Sequence, residues 1–326
     1  MNPRFSVIVP LYNKADYVRR TLESIAAQTF CDYEVIVVDD GSTDNSLAVV
    51  KEFVERIDDR KLDNRWTVIS QANAGVAAAR NNGVKASSGE HVSFLDADDW
   101  WEPTFLEEMD KLIKEYPDAG LYATNYVYYK PGKTHVALHL ERGYMNYADA
   151  YLHGEMPVTS ITTSMSRKVF EEMGGFPVGI KLGEDFLLWA KTALHYKVAF
   201  CEKPLAYYNN NVPANLRATR NVHAPKYNML FNMQDIETIV DSRLSIVDRG
   251  DWKALLDKLR VNGLMEYWLS NEYHAAAAAE LKKVDWSKQS KKAIAQYKKP
   301  ILMIRAKMRF MQIGSYFKQK LIRWTI

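Results

Sequence analysis

Short apolar and β-branched runs alternate with helical patterns near the start of the chain, and this alternation constrains the fold more than any other feature. The runs predict strands at 5–9, 34–38, 66–70 and 91–95. Helical spacing follows them at 16–28, from residue 44, at 76–86 and after Pro103. Repeated strand–helix units predict an α/β fold whose mostly parallel central sheet is flanked by helices on both faces.

Polar segments follow three of the predicted strands, at 10–13, 39–44 and 96–99. Ligands of such sheets bind beyond the carboxyl ends of the strands, so these segments are expected to converge on one site. Asp, Ser, Thr and Gly also cap helices and form turns, and that remains the alternative for Ser42 or Asp44 taken alone. It explains three adjacent carboxylates less well.

Asp96, Asp98 and Asp99 are those carboxylates, and the first two form an Asp-x-Asp (DxD) pattern. Crowded carboxylates repel one another unless a cation lies among them. Mg²⁺ or Mn²⁺, bound by one or two carboxylates together with water and phosphates, fits this set better than zinc. The cluster therefore predicts a divalent cation and a diphosphate ligand.

Two common phosphate-binding patterns are absent from the sequence. It has no Gly-x-x-x-x-Gly-Lys loop and no Gly-x-Gly-x-x-Gly after the first strand, which argues against a P-loop enzyme and a dinucleotide dehydrogenase. Phosphate charge must then be met by a metal and by side chains. Arg80, in the segment 73–81, is a candidate contact, and a solvated helix arginine is the alternative.

Four ordered motifs resemble the family 2 glycosyltransferases, whose catalytic domain has the GT-A fold: 6–13, 37–44, 73–81 and 94–99. The resemblance covers about residues 4–208. It implies that Pro10, Tyr12 and Asp40 line a nucleobase pocket and that Asp96 contacts the ribose. The nucleotide-sugar site is thus predicted from Pro10, Tyr12, Asn13, Asp40, Asn73, Arg80, Asp96 and Glu184, and the metal site from Asp98 and Asp99.

The family also has a downstream glutamate–aspartate pair, which here is Glu184-Asp185. The resemblance makes Asp185 the predicted general base, because an acceptor hydroxyl must lose a proton as it attacks the anomeric carbon. A single displacement would invert that centre. The alternative is that the pair caps a helix at 186–194.

One segment departs from the family pattern. Many relatives place a Tyr-Arg-x-His-like segment some twenty residues after the base, whereas residues 207–211 read Tyr-Tyr-Asn-Asn-Asn here. A histidine metal ligand is therefore not expected in this segment. His223 lies further on and could substitute, but a lone histidine is more often not a ligand.

The C-terminal third predicts helices without a catalytic cluster. Residues 282–326 contain thirteen Lys or Arg and one acid, Asp285, whereas 1–281 contain 30 basic and 39 acidic residues. The last stretch, 300–326, mixes apolar and basic residues, which suits an element lying on an anionic membrane. The alternative is a helix packed on the acidic body. We therefore predict a catalytic domain at 1–220 and a helical C-terminal region with a basic amphipathic tail at 221–326.

Cellular location is predicted from what the sequence lacks. No run approaches the roughly 20 apolar residues that span a bilayer, and no signal-peptide pattern opens the chain. The two cysteines, Cys31 and Cys201, match no metal or redox spacing, which favours reduced thiols. We expect a cytoplasmic protein, peripheral on the inner face of the plasma membrane if the tail binds lipid.

The predicted function is an inverting glycosyltransferase that uses a nucleotide diphosphate sugar, preferably a UDP-sugar, and Mn²⁺ or Mg²⁺. Its acceptor would be a saccharide or a lipid-linked molecule of cell-surface polysaccharide or glycolipid synthesis. A nucleotidyltransferase would share the aspartates but gives no reason for Glu184-Asp185. A non-catalytic nucleotide-sugar binder would show losses in these motifs. A nucleic-acid partner is not expected, because no groove-reading or stacking motif is recognisable in the sequence.

Overall fold

The computed structural model describes residues 2–57, 66–154, 156–213 and 223–298. Contacts divide the chain into two compact units, Met1–Leu255 and Leu256–Ile326. The boundary predicted at residues 220 and 221 lies outside the described residues, and so does the tail at 300–326. No helix in the described ranges has the length and apolar character needed to cross a membrane.

The described residues of the first unit are built on a ten-stranded sheet. Strands β3, β2, β1 and β4 are adjacent in that order and parallel; β9 then runs antiparallel between β4 and β6, and β6 is parallel to β10. Shorter antiparallel partners complete it: β5 and β8 on β10, and β7 on β6. The strands are β1 Phe5–Leu11, β2 Tyr33–Asp39, β3 Trp66–Ser70, β4 His91–Phe94, β5 Trp100–Trp101, β6 Ala119–Tyr129, β7 His135–Val136, β8 Gly143–Met145, β9 Thr163–Ser166 and β10 Lys197–Asn209.

Helices follow the strands as the sequence pattern predicts. Those of the first unit are α1 Val18–Ala26, α2 Ser46–Arg56, α3 Val76–Ala86, α4 Phe105–Glu115, α5 Tyr147–His153, α6 Arg167–Met173, α7 Glu184–Ala193 and α8 Gln234–Arg243. Helix α9, Ile246–Gly263, begins in the first unit and ends in the second. The second unit continues with α10 Met265–Leu269, α11 His274–Leu281 and α12 Lys291–Lys298.

The core lies at the parallel part of the sheet. All seven residues of β1 and all seven of β2 are buried, which is why these strands consist largely of Val, Ile and other apolar residues without polar alternation. Helix α1 buries Val18, Leu22 and Ile25, the apolar stripe seen in the sequence. The predicted α/β class with a helix-flanked, mostly parallel central sheet is confirmed, and the antiparallel β9 is an addition to it.

Gly83 lets α3 pack closely on the sheet. A Cβ added at this glycine would overlap Ile8 Cγ2 on β1 and lie 3.1 Å from Val38 Cγ2 on β2. Helix α3 carries Arg80, so its distance from the sheet helps to set the position of that side chain.

Gly83→Ala is expected to destabilise the protein by about 1–3 kcal/mol, because the added methyl group overfills a packed contact. Gly250→Ala is the matched control: Gly250 is also helical, and nothing lies within 4 Å of its added Cβ. There alanine should stabilise by up to about 1 kcal/mol through helix propensity. Urea unfolding followed by circular dichroism measures both, and stabilisation by Gly83→Ala would refute the close-packing argument.

Candidate active site

Asn13 joins the loops that follow β1 and β2. Its backbone is left-handed, with φ of 51°, which asparagine tolerates better than most residues. Its Oδ1 accepts from the backbone N–H of Thr43 at 2.8 Å, and its own N–H donates to Ser42 Oγ at 3.1 Å. Asn13 therefore holds the loop after β1 and the loop after β2 in a fixed relative position.

The carboxylate of Asp40, at the end of β2, is buried and organises the loop that follows β3. Its Oδ1 accepts from Gln71 Nε2 at 2.7 Å and from the N–H of Ala74 at 2.8 Å, while Oδ2 accepts from the N–H of Gly75 at 2.9 Å. Asn73 Nδ2 donates to the Asp40 backbone carbonyl at 3.0 Å. A carboxylate has about four acceptor positions, so one remains for a ligand.

Pro10 and Tyr12 lie beside Asp40 in different environments. Pro10 is buried within β1, where it is the register partner of Val38. Tyr12 leaves 47% of its surface exposed just beyond the end of the same strand. The backbone N–H of Asp40 donates to the carbonyl of Leu11, the residue before Tyr12, at 2.8 Å. An exposed aromatic ring at this strand end can stack on a nucleobase.

The three aspartates after β4 have separate surroundings. Asp99 is buried, and its Oδ1 accepts from the backbone N–H of Asn209 at 2.7 Å. Asp98 is partly exposed and forms an ion pair with Lys14, with 2.5 Å between Oδ2 and Nζ. Burial raises the pKa of both carboxyls, and neighbouring aspartate charges raise them further.

These aspartates suit a cation that is bound together with a ligand. Among the described residues, no group of three His, Cys, Asp or Glu side chains forms a complete metal site. Hard cations such as Mg²⁺, however, are held in many enzymes by one or two carboxylates plus substrate phosphates. Of the two predicted metal ligands, Asp98 is partly exposed at the strand end, whereas Asp99 is more deeply enclosed.

Arg80 links the end of β4 to the start of α7. Its Nη2 donates to Asp96 Oδ1 at 2.7 Å and its Nη1 to Glu184 Oε1 at 2.9 Å, and its guanidinium carbon lies 5.0 Å from the Phe176 ring centroid. The side chain is buried and is not a solvated helix arginine. Burial alone would lower the pKa of Arg80, but the adjacent carboxylates raise it above its ordinary value, so the group stays charged.

Asp185 lies in the first turn of α7. The helix begins at Glu184 after the N-cap residue Gly183, so the acidic pair belongs to its first turn. Asp185 Oδ1 accepts from the N–H of Phe186 at 2.7 Å. Burial and then the charge of Glu184 raise the pKa of Asp185 to about 7, while Arg80 acts in the opposite direction. A carboxylate that titrates near neutral pH is well suited to accept a proton.

Three residues of the site were not identified from the sequence. Lys14 forms an ion pair with Asp98, and Gln71 donates a hydrogen bond to Asp40. Burial raises the pKa of the Tyr208 hydroxyl, and the charges of the nearby aspartates raise that pKa further. Lys14 directly follows the motif at 6–13, which was a usable signal. Tyr208 lies in the segment 207–211, whose sequence indicated only that the histidine of the family pattern is missing.

Comparison with known proteins identifies the family. The model of glycosyl transferase family 2 matches residues 6–174. Glycosyltransferase GlyA of Streptococcus pneumoniae serotype 4 is 36% identical over 222 residues, 64% of this chain and 31% of that protein. Glycosyltransferase GlyG of the same organism is 37% identical over 130 residues, 40% of this chain and 41% of that protein. The matched stretch is thus well under half of the length of either relative.

Solved structures share the fold. S. aureus TarS 1–349 in complex with UDP-GlcNAc has a TM-score of 0.69 at 22% identity, over 86% of this chain and 80% of that one. The mannosyltransferase PcManGT from Pyrobaculum calidifontis, in complex with GDP-Man and Mn²⁺, has a TM-score of 0.50 at 20% identity, over 89% of each chain. This similarity supports the predicted GT-A architecture. The match at residues 6–174 covers more than half of this chain, and the chain therefore belongs to glycosyl transferase family 2.

Proposed function

We propose that this chain is an inverting, metal-dependent glycosyltransferase. It transfers a sugar from a UDP-sugar to a saccharide or lipid-linked acceptor in the synthesis of a cell-surface polysaccharide or glycolipid. The observation that carries the proposal is the connection made by Arg80, which joins Asp96, on the nucleotide side of the site, to the acidic pair Glu184-Asp185. Transfer of a sugar requires the nucleotide-binding side and the acidic pair together, whereas a nucleotidyltransferase does not need the acidic pair.

The donor would bind across the ends of β1, β2 and β4. The Tyr12 ring stacks on the base, and Asp40 accepts from a ring nitrogen through its remaining acceptor position. Asp96 contacts the ribose. The complexes of TarS with UDP-GlcNAc and of PcManGT with Mn²⁺ support this type of donor and cation for a chain of the same fold.

The chemistry would need one displacement. A hydroxyl of the acceptor attacks the anomeric carbon and gives its proton to Asp185, while the bond from that carbon to the diphosphate oxygen breaks and its electron pair leaves with the nucleotide. Asp98 would hold a divalent cation, which would supply positive charge against the charge that gathers on the departing diphosphate. Arg80 stays charged throughout and limits the repulsion between Asp96 and the acidic pair.

Asp185→Asn should lower turnover by about 10²–10⁴-fold, because the amide keeps the shape of the side chain but cannot accept the proton. UDP affinity should stay unchanged. Turnover of the unsubstituted protein should rise with pH around a midpoint near 7, since the carboxyl acts only when ionised and its pKa is raised to about 7. UDP release from a panel of nucleotide sugars measures this. Glu171→Gln, an exposed acid on α6, is the control; full activity of Asp185→Asn would exclude this residue as the base.

Asp98→Ala should remove the contribution of the cation to donor binding. Calorimetry of UDP binding with Mn²⁺ and with EDTA should differ by about tenfold or more in the unsubstituted protein, or roughly 1.4 kcal/mol. In Asp98→Ala the two affinities should be nearly equal. Asp118→Ala, a change at an exposed acid, should keep the difference. Equal affinities in the unsubstituted protein would contradict metal dependence.

We further propose that the basic tail attaches the protein to an anionic membrane surface; support comes from its sequence alone, because the tail lies outside the described residues. Neutralising Lys318, Lys320 and Arg323 together to Gln should weaken binding to anionic vesicles by about 100-fold, at roughly 1 kcal/mol per charge. The same change at Lys51, Lys114 and Lys168 of the first unit should have little effect. Unchanged co-sedimentation of the tail variant would show that the tail is not the anchor.

A further inference from the structure

Three aromatic rings lie side by side across β10, β6 and β7. Tyr128 on β6 is the register partner of both Tyr208 on β10 and His135 on β7. Its ring centroid lies 5.6 Å from that of Tyr208, which it meets edge to face at 71°, and 5.1 Å from that of His135, whose ring is stacked on it at 27°. Directly opposed residues project from the same face of a sheet, so the rings of Tyr208, Tyr128 and His135 form one continuous row, called the ring row below.

The inner end of the ring row adjoins the aspartates of the site. Asn209, the residue after Tyr208, donates its backbone N–H to Asp99 Oδ1 at 2.7 Å. Burial raises the pKa of the Tyr208 hydroxyl, and the charges of Asp99 and the two neighbouring aspartates raise it further. The Tyr208 side chain therefore lies near these aspartates. The ring row begins at the aspartates that follow β4.

From Tyr208 the ring row runs outward. Tyr208 and Tyr128 are half-buried, whereas His135 is exposed. Three adjacent strands span roughly 10 Å at a spacing of about 4.8 Å. A molecule bound along the ring row would thus extend from the site to the surface, with room for more than one sugar ring.

The chemistry of these side chains matches a saccharide. A pyranose has a face of C–H groups, which packs on an aromatic ring, and a rim of hydroxyls, which hydrogen-bond with tyrosine and histidine. Bases of single-stranded nucleic acid also stack on aromatic rows, but their backbone requires a basic groove. Residues 1–281 carry 30 Lys or Arg against 39 Asp or Glu, and the ring row starts at three aspartates, so a polyanion would be repelled.

We propose that the ring row is the acceptor site and binds a saccharide of two or more sugars. The reacting end lies at Tyr208, and the preceding unit lies against the edge of Tyr128 and packs on the exposed ring of His135. This inference rests on the proposed function and narrows its acceptor to a saccharide chain, recognised by stacking at positions remote from the bond that forms.

A glycan array of mono- to hexasaccharides, probed with the labelled full-length protein in the presence of UDP and Mn²⁺, tests the ring row. The unsubstituted protein should be retained more strongly by some oligosaccharides than by their single sugars. Tyr128→Ala and His135→Ala should each lower that retention by about tenfold, the loss expected when a stacking contact is removed. Calorimetric UDP affinity should be the same in all of these proteins.

Tyr144→Ala is the matched control, because Tyr144 on β8 is exposed and lies outside the ring row; it should keep the full array pattern. If His135→Ala keeps that pattern too, or if the unsubstituted protein binds UDP but no glycan, the acceptor site is not the ring row. A protein that binds no UDP and releases none from any nucleotide sugar would instead contradict the proposed function. His135 is exposed, so its variant remains informative even if Tyr128→Ala is unstable.

Discussion

The two ion pairs of Arg80 hold the candidate active site in one arrangement. One guanidinium, buried beneath the site, binds Asp96 at the end of β4 and Glu184 at the start of α7. Breaking such a buried pair by removing one partner typically costs about 3–5 kcal/mol, because the remaining charge is left without compensation. Here two carboxylates would be left. Arg80 also lowers the pKa of Asp185, in opposition to burial and Glu184, so the same charge that orders the site adjusts the proposed base.

This arrangement follows from where the chain leaves its strands. Parallel strands bring their carboxyl ends to one edge, and each loop there contributes a different element: Asn13 and Lys14 after β1, Asp40 after β2, Gln71 after β3 and the aspartates after β4. Each loop is held by its neighbours. Lys14 reaches Asp98, and Gln71 reaches Asp40. The edge therefore holds many charges in a fixed geometry, which favours a charged ligand over water.

Much of this could be predicted from the sequence, because the strands and their order depend on local patterns. The predicted ranges 66–70 and 76–86 are those of β3 and α3, and the polar segments after β1, β2 and β4 do converge. The insertion of β9 could not be predicted, since it depends on pairing such as that of His91 with Ser166. The Lys14–Asp98 contact and the ring row likewise join residues far apart in the chain, and no local pattern records such contacts.

The hydrogen bond from Asn209 to Asp99 limits which parts of the site can change during evolution. It fastens the end of β10 to the aspartates, so the inner end of the ring row cannot shift without disturbing them. The outer end rests on β7, a strand of two residues reached through the exposed turn at 130–134. Surface turns accept insertions and exchanges at little cost. Descendants of one ancestor could thus inherit an unchanged donor chemistry and acquire new acceptors by altering a few residues at that margin.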